Sequence, residues 1–209
     1  MSCGKTLLPV TKTYEIEVPL ETQVELNFCL PTSVLMCAKY FAKEVGWYSE
    51  NFKNLNSPTQ EKFIYDYLKK NSGLTFYPNS QDSAPTAISK FLYNYLNISN
   101  KRIAILDTSL WCEENFGSLK LMVEQIKFEQ KPVIAVINKE DSSGNSSNSN
   151  QTHAVVIVGI QENVNTDEVT KIFYNDPWYG YRNKSKASWQ NVSCLNTFDY
   201  LTLYFSTYN

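Results

Sequence analysis

The sequence contains a single histidine, His153, and its five cysteines include no Cys-x-x-Cys pair. Structural zinc sites are usually built from paired cysteine and histidine ligands, so we expect no metal site and no cofactor. The cysteines lie at positions 3, 29, 37, 112 and 194, and their odd number disfavours a disulfide framework. A reducing environment is the simplest interpretation of these scattered thiols.

Neither charge nor hydrophobicity is concentrated in this chain. Nineteen Lys and Arg residues balance 21 Asp and Glu residues, whereas nucleic-acid binding requires a concentrated cationic face. The longest apolar runs, residues 132–138 and 154–160, have the length of strands and fall far short of the roughly 20 residues that cross a bilayer. We therefore expect neither a nucleic-acid partner nor a membrane span.

The first residues leave the location of the protein open. Ser2-Cys3-Gly4 resembles the stub that remains when a lipoprotein leader is removed, in which case the protein would be secreted or lipid-anchored. Without such a leader, the pattern of cysteines favours the cytoplasm.

The order of the predicted elements indicates one α+β domain over residues 1–209. Residues 1–22 are predicted to form an extended N-terminal segment, because part of this stretch alternates apolar and charged positions. Apolar residues at helical spacing predict helices over 29–44, 57–71, 85–96 and 118–129, with a short strand at 102–107. Four β-branched and aromatic runs then predict one antiparallel sheet, formed by residues 132–138, 153–161, 169–176 and 198–206. Helices that precede strands in this way are typical of α+β proteins. The Ser- and Asn-rich residues 139–152 are too polar to pack and are predicted to form a mobile surface loop.

Three motifs combine residues that nucleophilic catalysis requires. Gln23 precedes Cys29 by six positions, and Cys29 begins a predicted helix. His153 begins a buried strand, and Asn175-Asp176 ends the next one. A thiolate is favoured at a helix N-terminus, where the helix dipole is positive, and an imidazolium nearby favours it further. The imidazole can later protonate the leaving group, while a third residue fixes the orientation of the ring. Gln23 and the backbone N–H of Cys29 can donate to the developing oxyanion.

These motifs resemble those of papain-like cysteine peptidases, and most closely those of the bacteriocin-processing peptidase family, whose members cut leader peptides after a double glycine. That family has a Gln followed by Asn-x-Cys-x-Pro-x-Ser-x-x-Met, which corresponds to Gln23 and residues 27–36 here. Its Lys-Pro-Val-Ile strand corresponds to residues 131–134, its His-x-Val-Val-x-x-Gly to residues 153–159, and its Asp-Pro to residues 176–177. The resemblance implies a papain-like fold, with an N-terminal helical half packed on a C-terminal antiparallel sheet. It also implies a thiol peptidase that acts on a peptide or protein substrate through an acyl-enzyme.

The third member of the implied triad is open between two neighbours. Asn175 and Asp176 are adjacent on a strand, so they face opposite sides and only one can reach the ring. Papain itself uses Asn, but the bacteriocin-processing family uses the Asp of Asp-Pro, which favours Cys29, His153 and Asp176, with Asn175 as the alternative.

Two other functions remain open at this point. The same triad can serve an acyltransferase or a deamidase that acts on a protein or peptide amide. A catalytically inactive papain-fold binding module is the second alternative, because Leu30 stands where the family often has Gly directly after the nucleophile. The oligomeric state and the cleavage preference are not predicted.

Overall fold

The helices precede four of the five strands of the main sheet in a computed structural model of the chain, which describes residues 10–72, 84–96, 102–107, 117–138, 152–185 and 201–206. The helices are α1 (Cys29–Val45), α2 (Glu50–Lys53), α3 (Ser57–Ser72), α4 (Ala84–Tyr95) and α5 (Gly117–Lys127). The strands are β1 (Thr11–Glu15), β2 (Arg102–Asp107), β3 (Val133–Asn138), β4 (Thr152–Asn163), β5 (Glu168–Asp176), β6 (Gly180–Ser185) and β7 (Leu201–Ser206). The predicted α+β class, with a helical half before an antiparallel sheet, is confirmed.

The twelve-residue strand β4 is the centre of a five-stranded antiparallel sheet. One of its edges pairs with β5, which continues the sheet to β6. Its other edge is shared by two strands placed end to end, since β3 pairs with its first half and β1 with its second half. Gly159 pairs with Glu15 at the end of β1, and a Cβ at this position would come within 2.9 Å of the backbone oxygen of Tyr14. This close approach of two backbones explains why glycine occupies the site.

Helix α1 packs against β4 and places its N-terminus at the start of that strand. Because β4 is covered on both faces, its residues from Ala154 to Val158 are all nearly inaccessible to solvent. Helix α1 contributes Leu35 and Met36, among other residues, to the same hydrophobic core, and α3 and α4 extend that core. The helix is therefore fixed to the strand that carries His153.

Two predictions about the sheet are wrong. The segment 198–206 was predicted to join the main sheet, but β7 pairs with β2 over six residues in a separate two-stranded sheet. Partner choice among short apolar strands depends on tertiary packing, which periodicity does not reveal. Strand β6 was not predicted, because its sequence, Gly-Tyr-Arg-Asn-Lys-Ser, lacks an apolar alternation. An edge strand can have such a sequence, since it pairs with a neighbouring strand along only one edge and is less buried than a central strand.

Parts of two predicted segments lie outside the described residues. Of the extended N-terminal segment 1–22, residues 1–9 are not described, and β1 forms within the remainder. Of the predicted mobile loop 139–152, only Thr152 is described, and it is the first residue of β4. Within the described part of the chain, no helix is long and apolar enough to cross a membrane.

Candidate active site

Cys29 is the first residue of α1, and its thiol is half-buried. Phe28 precedes it with φ −96° and ψ 10°, and no side chain caps this helix end. In the first turn Pro31 has no N–H and that of Thr32 donates to the backbone oxygen of Phe28 at 2.9 Å, so the N–H of Cys29 is left for a negatively charged group. The backbone N–H groups of Leu30 and Ala154 are near enough to the Cys29 sulfur to lower the pKa of the thiol.

The electrostatic surroundings of Cys29 favour the thiolate. Burial alone would raise the pKa of the thiol, but hydrogen bonding to His153, the charge of that ring and the two backbone N–H donors lower it below its usual value. The other described cysteine, Cys37, lies two turns further along α1, and burial raises its pKa. The two thiols on one helix therefore have opposite chemical character, and only Cys29 is suited to nucleophilic attack.

His153, the second residue of β4, connects the thiol to a carboxylate. Its Nε2 lies 2.8 Å from Oδ1 of Asp176, and the ring is 8% exposed. Because Nε2 is engaged by the carboxylate, Nδ1 is left for the hydrogen bond with Cys29. Burial would lower the pKa of His153, but the hydrogen bonds and charges of Asp176 and Cys29 raise it to about 9. The raised pKa of the base and the lowered pKa of the thiol both favour a thiolate–imidazolium pair.

Asp176, rather than Asn175, contacts the ring. Asp176 is the last residue of β5, is 2% exposed, and also accepts hydrogen bonds through Oδ1 from the backbone N–H groups of Trp178 and Tyr179, at 2.7 and 3.1 Å. Asn175 faces the other side of the strand and donates from Nδ2 to the backbone oxygen of Val18 at 3.1 Å. The turn after β5 therefore orients the carboxylate toward His153. These two backbone donors were not predicted from the motifs, although the Asp-Pro pair signals a turn at this position.

Gln23 lies beside the site, but its side chain is turned into its own loop. Its backbone N–H donates to the oxygen of Pro177 at 3.0 Å, which joins the loop before α1 to the turn after β5. The side-chain Nε2 donates to the backbone oxygens of Glu25 and Leu26, at 2.6 and 3.2 Å. Oε1 is buried and has no partner among the described residues. Both amide protons are thus engaged within the loop, whereas the sequence analysis expected one to point toward an oxyanion.

The side chain of Leu30 does not obstruct the site. It is 4% exposed and belongs to the hydrophobic core, while its backbone N–H contributes to the lowered pKa of the Cys29 thiol. The position after the nucleophile therefore presents backbone to the site and an apolar side chain to the interior. This removes the reason for which Leu30 suggested an inactive binding module.

Large apolar side chains are exposed on both segments that flank the site. Leu20, Val24 and Leu26 lie in the loop before α1, and Trp178 and Tyr179 lie in the turn after β5. We call these five residues the apolar rim. The hydrogen bond from the Gln23 N–H to the Pro177 oxygen joins the two segments, so the residues of the apolar rim come from neighbouring parts of the surface.

No group of three or more His, Cys, Asp or Glu side chains suited to a metal ion occurs among the residues that the structure describes. The described chemistry of the site is that of a thiol, an imidazole and a carboxylate.

Residues 15–197 match the family described as Peptidase C39 like family, and this match includes Cys29, His153 and Asp176. Among solved structures, the chain is similar to a double glycine motif protease from an AMS/PCAT transporter, determined in complex with the leader peptide. The two chains are 15% identical, the match covers 96% of this chain and 98% of the other, and the TM-score is 0.49. No curated protein matches the chain.

Proposed function

The chain belongs to the Peptidase C39 like family, and from this premise we propose that it is a cysteine peptidase with Cys29, His153 and Asp176 as its catalytic triad. The observation that carries the proposal is the buried 2.8 Å contact between His153 and Asp176, on a ring that lowers the pKa of the Cys29 thiol at the start of α1. A merely structural cysteine at a helix start has no need of such an imidazole beside it.

In the first half of the proposed reaction, the Cys29 thiolate attacks the carbonyl carbon of a peptide bond. The carbon–sulfur bond forms as the carbonyl electrons move to oxygen, which gives a tetrahedral oxyanion. The imidazolium of His153 then donates its proton to the amine nitrogen, the carbon–nitrogen bond breaks, and an acyl-enzyme remains. In the second half, neutral His153 removes a proton from water, and the resulting hydroxide releases the acid and restores the thiolate.

Asp176 holds His153 in the orientation that both halves require. Its contact with Nε2 fixes the ring so that Nδ1 faces the sulfur, and its negative charge stabilises the imidazolium. The N–H groups of Trp178 and Tyr179 keep the carboxylate in place.

The backbone N–H of Cys29 and the side chain of Gln23 are the proposed oxyanion donors. Gln23 must exchange one of its hydrogen bonds within the loop for the oxyanion when substrate binds. Its buried, unpartnered Oε1 makes the present orientation less favourable, because an unsatisfied buried polar atom costs about 1–3 kcal/mol. Turning the Gln23 amide toward the oxyanion therefore costs less free energy than it would if every polar atom of that amide were hydrogen-bonded.

The proposed substrate is a peptide with large apolar side chains near the cleaved bond. The apolar rim supports this, since it presents exposed apolar surface from two segments beside the thiol. A peptide bound there would cover Trp178, which is 43% exposed.

The proposal is tested by alkylation with iodoacetamide at about pH 6, followed by peptide mapping, together with cleavage assays on a peptide library. We expect selective labelling of Cys29, which His153→Ala abolishes, and cleavage that Cys29→Ala abolishes. Cys37→Ala is the matched control, because it removes a thiol from the same helix. The mass of the products separates hydrolysis from the alternatives, since a deamidase leaves the peptide chain uncut and an acyltransferase joins the acyl group to an amine instead of water. Equal labelling of all the thiols would refute the proposal.

A further inference from the structure

A buried carboxyl group on α3 contacts both segments that meet at the nucleophile. Glu61 is 2% exposed, and its Oε1 is hydrogen-bonded to the hydroxyl of Thr32, which lies one turn after Cys29 on α1 and also contacts the backbone oxygen of Phe28 at 2.6 Å. Its two carboxyl oxygens also lie 3.3 and 3.4 Å from the backbone N–H of Val24, the residue after Gln23. One side chain from a third element therefore joins the start of α1 to the loop that precedes it.

Gln23 is consequently held on both sides by different parts of the fold. Its own N–H is bonded to Pro177 in the turn after β5, and the next N–H, that of Val24, is bonded to Glu61. Successive backbone amides that donate to two separate elements leave little freedom for the residue between them. The side chain of Gln23 can turn, but its backbone is fixed relative to Cys29.

The surroundings of Glu61 disfavour a buried carboxylate. Burial raises the pKa of Glu61, the hydrogen bonds from Thr32 and Val24 lower it, and the neighbouring carboxylates of Glu21 and Glu25 raise it further. Of the lysines on the adjoining helices, Lys39 of α1 is paired with Glu21, and Lys62 of α3 with Asp66. In the described part of the chain no ion pair to Glu61 is found that would offset its burial. An apolar side chain of similar size would pack at lower cost, so the distinctive contribution of Glu61 is its hydrogen bonds.

We propose that Glu61 is a positioning residue of the peptidase, which fixes the backbone at Gln23 and the first turn of α1 relative to each other so that their donors converge on the oxyanion. The inference rests on the proposed function. Glu61 acts through Thr32 and Val24 and does not touch the reacting atoms. Its hydrogen bonds therefore matter most in the transition state, when the oxyanion forms.

The test compares Glu61→Met, which keeps the size of the side chain but loses its hydrogen bonds, with Glu61→Gln, whose amide can still accept from Val24 and can bond to the Thr32 hydroxyl. We expect Glu61→Met to lower kcat about tenfold or more with little change in KM, and Glu61→Gln to stay within about threefold of the wild type. Alkylation of Cys29 by iodoacetamide should be unchanged in both variants, because the contact between the thiol and His153 does not involve Glu61.

Gln60→Met is the matched control for a general disturbance of α3. Gln60 is the adjacent residue, is 3% exposed, and donates from Nε2 to the backbone oxygen of Phe52 at 3.0 Å, away from the site. We expect this variant to lower the melting temperature without lowering kcat. Thr32→Val removes one of the two contacts without altering α3, and an intermediate fall in kcat is expected even if Glu61→Met does not fold.

Two results would overturn the inference. In the first, the wild type cleaves in a Cys29-dependent manner, but Glu61→Met or Thr32→Val loses no more kcat than Gln60→Met. This refutes the positioning role and leaves the proposed function intact. In the second, the wild type cleaves nothing, which refutes both.

Discussion

Replacement of Asp176 by Asn tests the electrostatic coupling at the site with almost no change of shape. The amide oxygen can still accept from the N–H groups of Trp178 and Tyr179, so the turn after β5 is expected to persist. What is lost is the negative charge that faces Nε2 of His153 at 2.8 Å. The pKa of His153, raised from 6.5 to about 9 in the folded protein, should therefore fall.

The size of the effect follows from the same values. Since a shift of one pKa unit corresponds to about 1.4 kcal/mol, the rise of the His153 pKa to about 9 reflects about 3 kcal/mol of imidazolium stabilisation. Asp176 and Cys29 share this stabilisation, so removal of the carboxylate charge is expected to cost about 1–2 kcal/mol. The population of the thiolate–imidazolium pair relative to the neutral pair should then fall about tenfold.

The assay is the rate of iodoacetamide alkylation of Cys29 as a function of pH, together with kcat/KM for a cleaved peptide. The pKa of the thiol is lowered, so wild-type alkylation should persist well below the usual pKa of cysteine, 9.0. Cleavage also requires the imidazolium as acid, so kcat/KM should fall as the pH rises through about 9. The pH dependence of alkylation and the alkaline fall of kcat/KM both report the coupled pair of Cys29 and His153 rather than either residue alone.

Asp176→Asn should shift the alkaline limb of kcat/KM to lower pH and reduce alkylation at neutral pH. Asn175→Ala is the control on the same strand, because Asn175 bonds to Val18 and not to the ring. We expect its profiles to match those of the wild type. The reasoning is refuted if Asp176→Asn leaves both profiles unchanged, or if Asn175→Ala shifts them as much.

Three further substitutions probe the scaffold. Gly159→Ala should lower the free energy of unfolding by about 2 kcal/mol in urea denaturation, because the new Cβ would meet the backbone oxygen of Tyr14 at 2.9 Å; a change below measurement error would contradict this. Lys127→Met should cost about 2 kcal/mol in the same assay, since it leaves the buried carboxylate of Glu162 without the partner that lies 2.7 Å away, and Glu162→Gln in the same background should restore part of the loss. Cys37→Ala should destabilise the fold by about 1 kcal/mol and leave kcat and iodoacetamide labelling unchanged, whereas a loss of labelling would show that Cys37 is reactive.

The sequence predicted elements whose signal is local. The start of α1 at Cys29 and the end of β5 at Asp176 agree with the structure. Pro31 in the first turn and the long apolar run after His153 are signals of this local kind. The three proposed catalytic residues all lie at or next to such element ends.

Pairing between distant strands could not be predicted in the same way. Strand β7 satisfies an apolar pattern equally well beside β3 or beside β2, and the choice of β2 depends on packing across the whole chain. The β6 edge strand has no apolar pattern because it does not need one. Both errors concern information that a single strand does not contain.

The side-chain contacts at the site are a third case, and Gln23 and Glu61 show why. The spacing of Gln23 from Cys29 predicts that the two residues are neighbours, but it does not determine which way an amide with two protons turns. That direction depends on the backbone oxygens of Glu25 and Leu26, which attract both protons in the absence of a substrate. Glu61 shows no sequence signal at all, because a charged residue on a helix is ordinarily solvated. Only the packing of α3 against α1 turns it into a buried link between the two segments at the nucleophile.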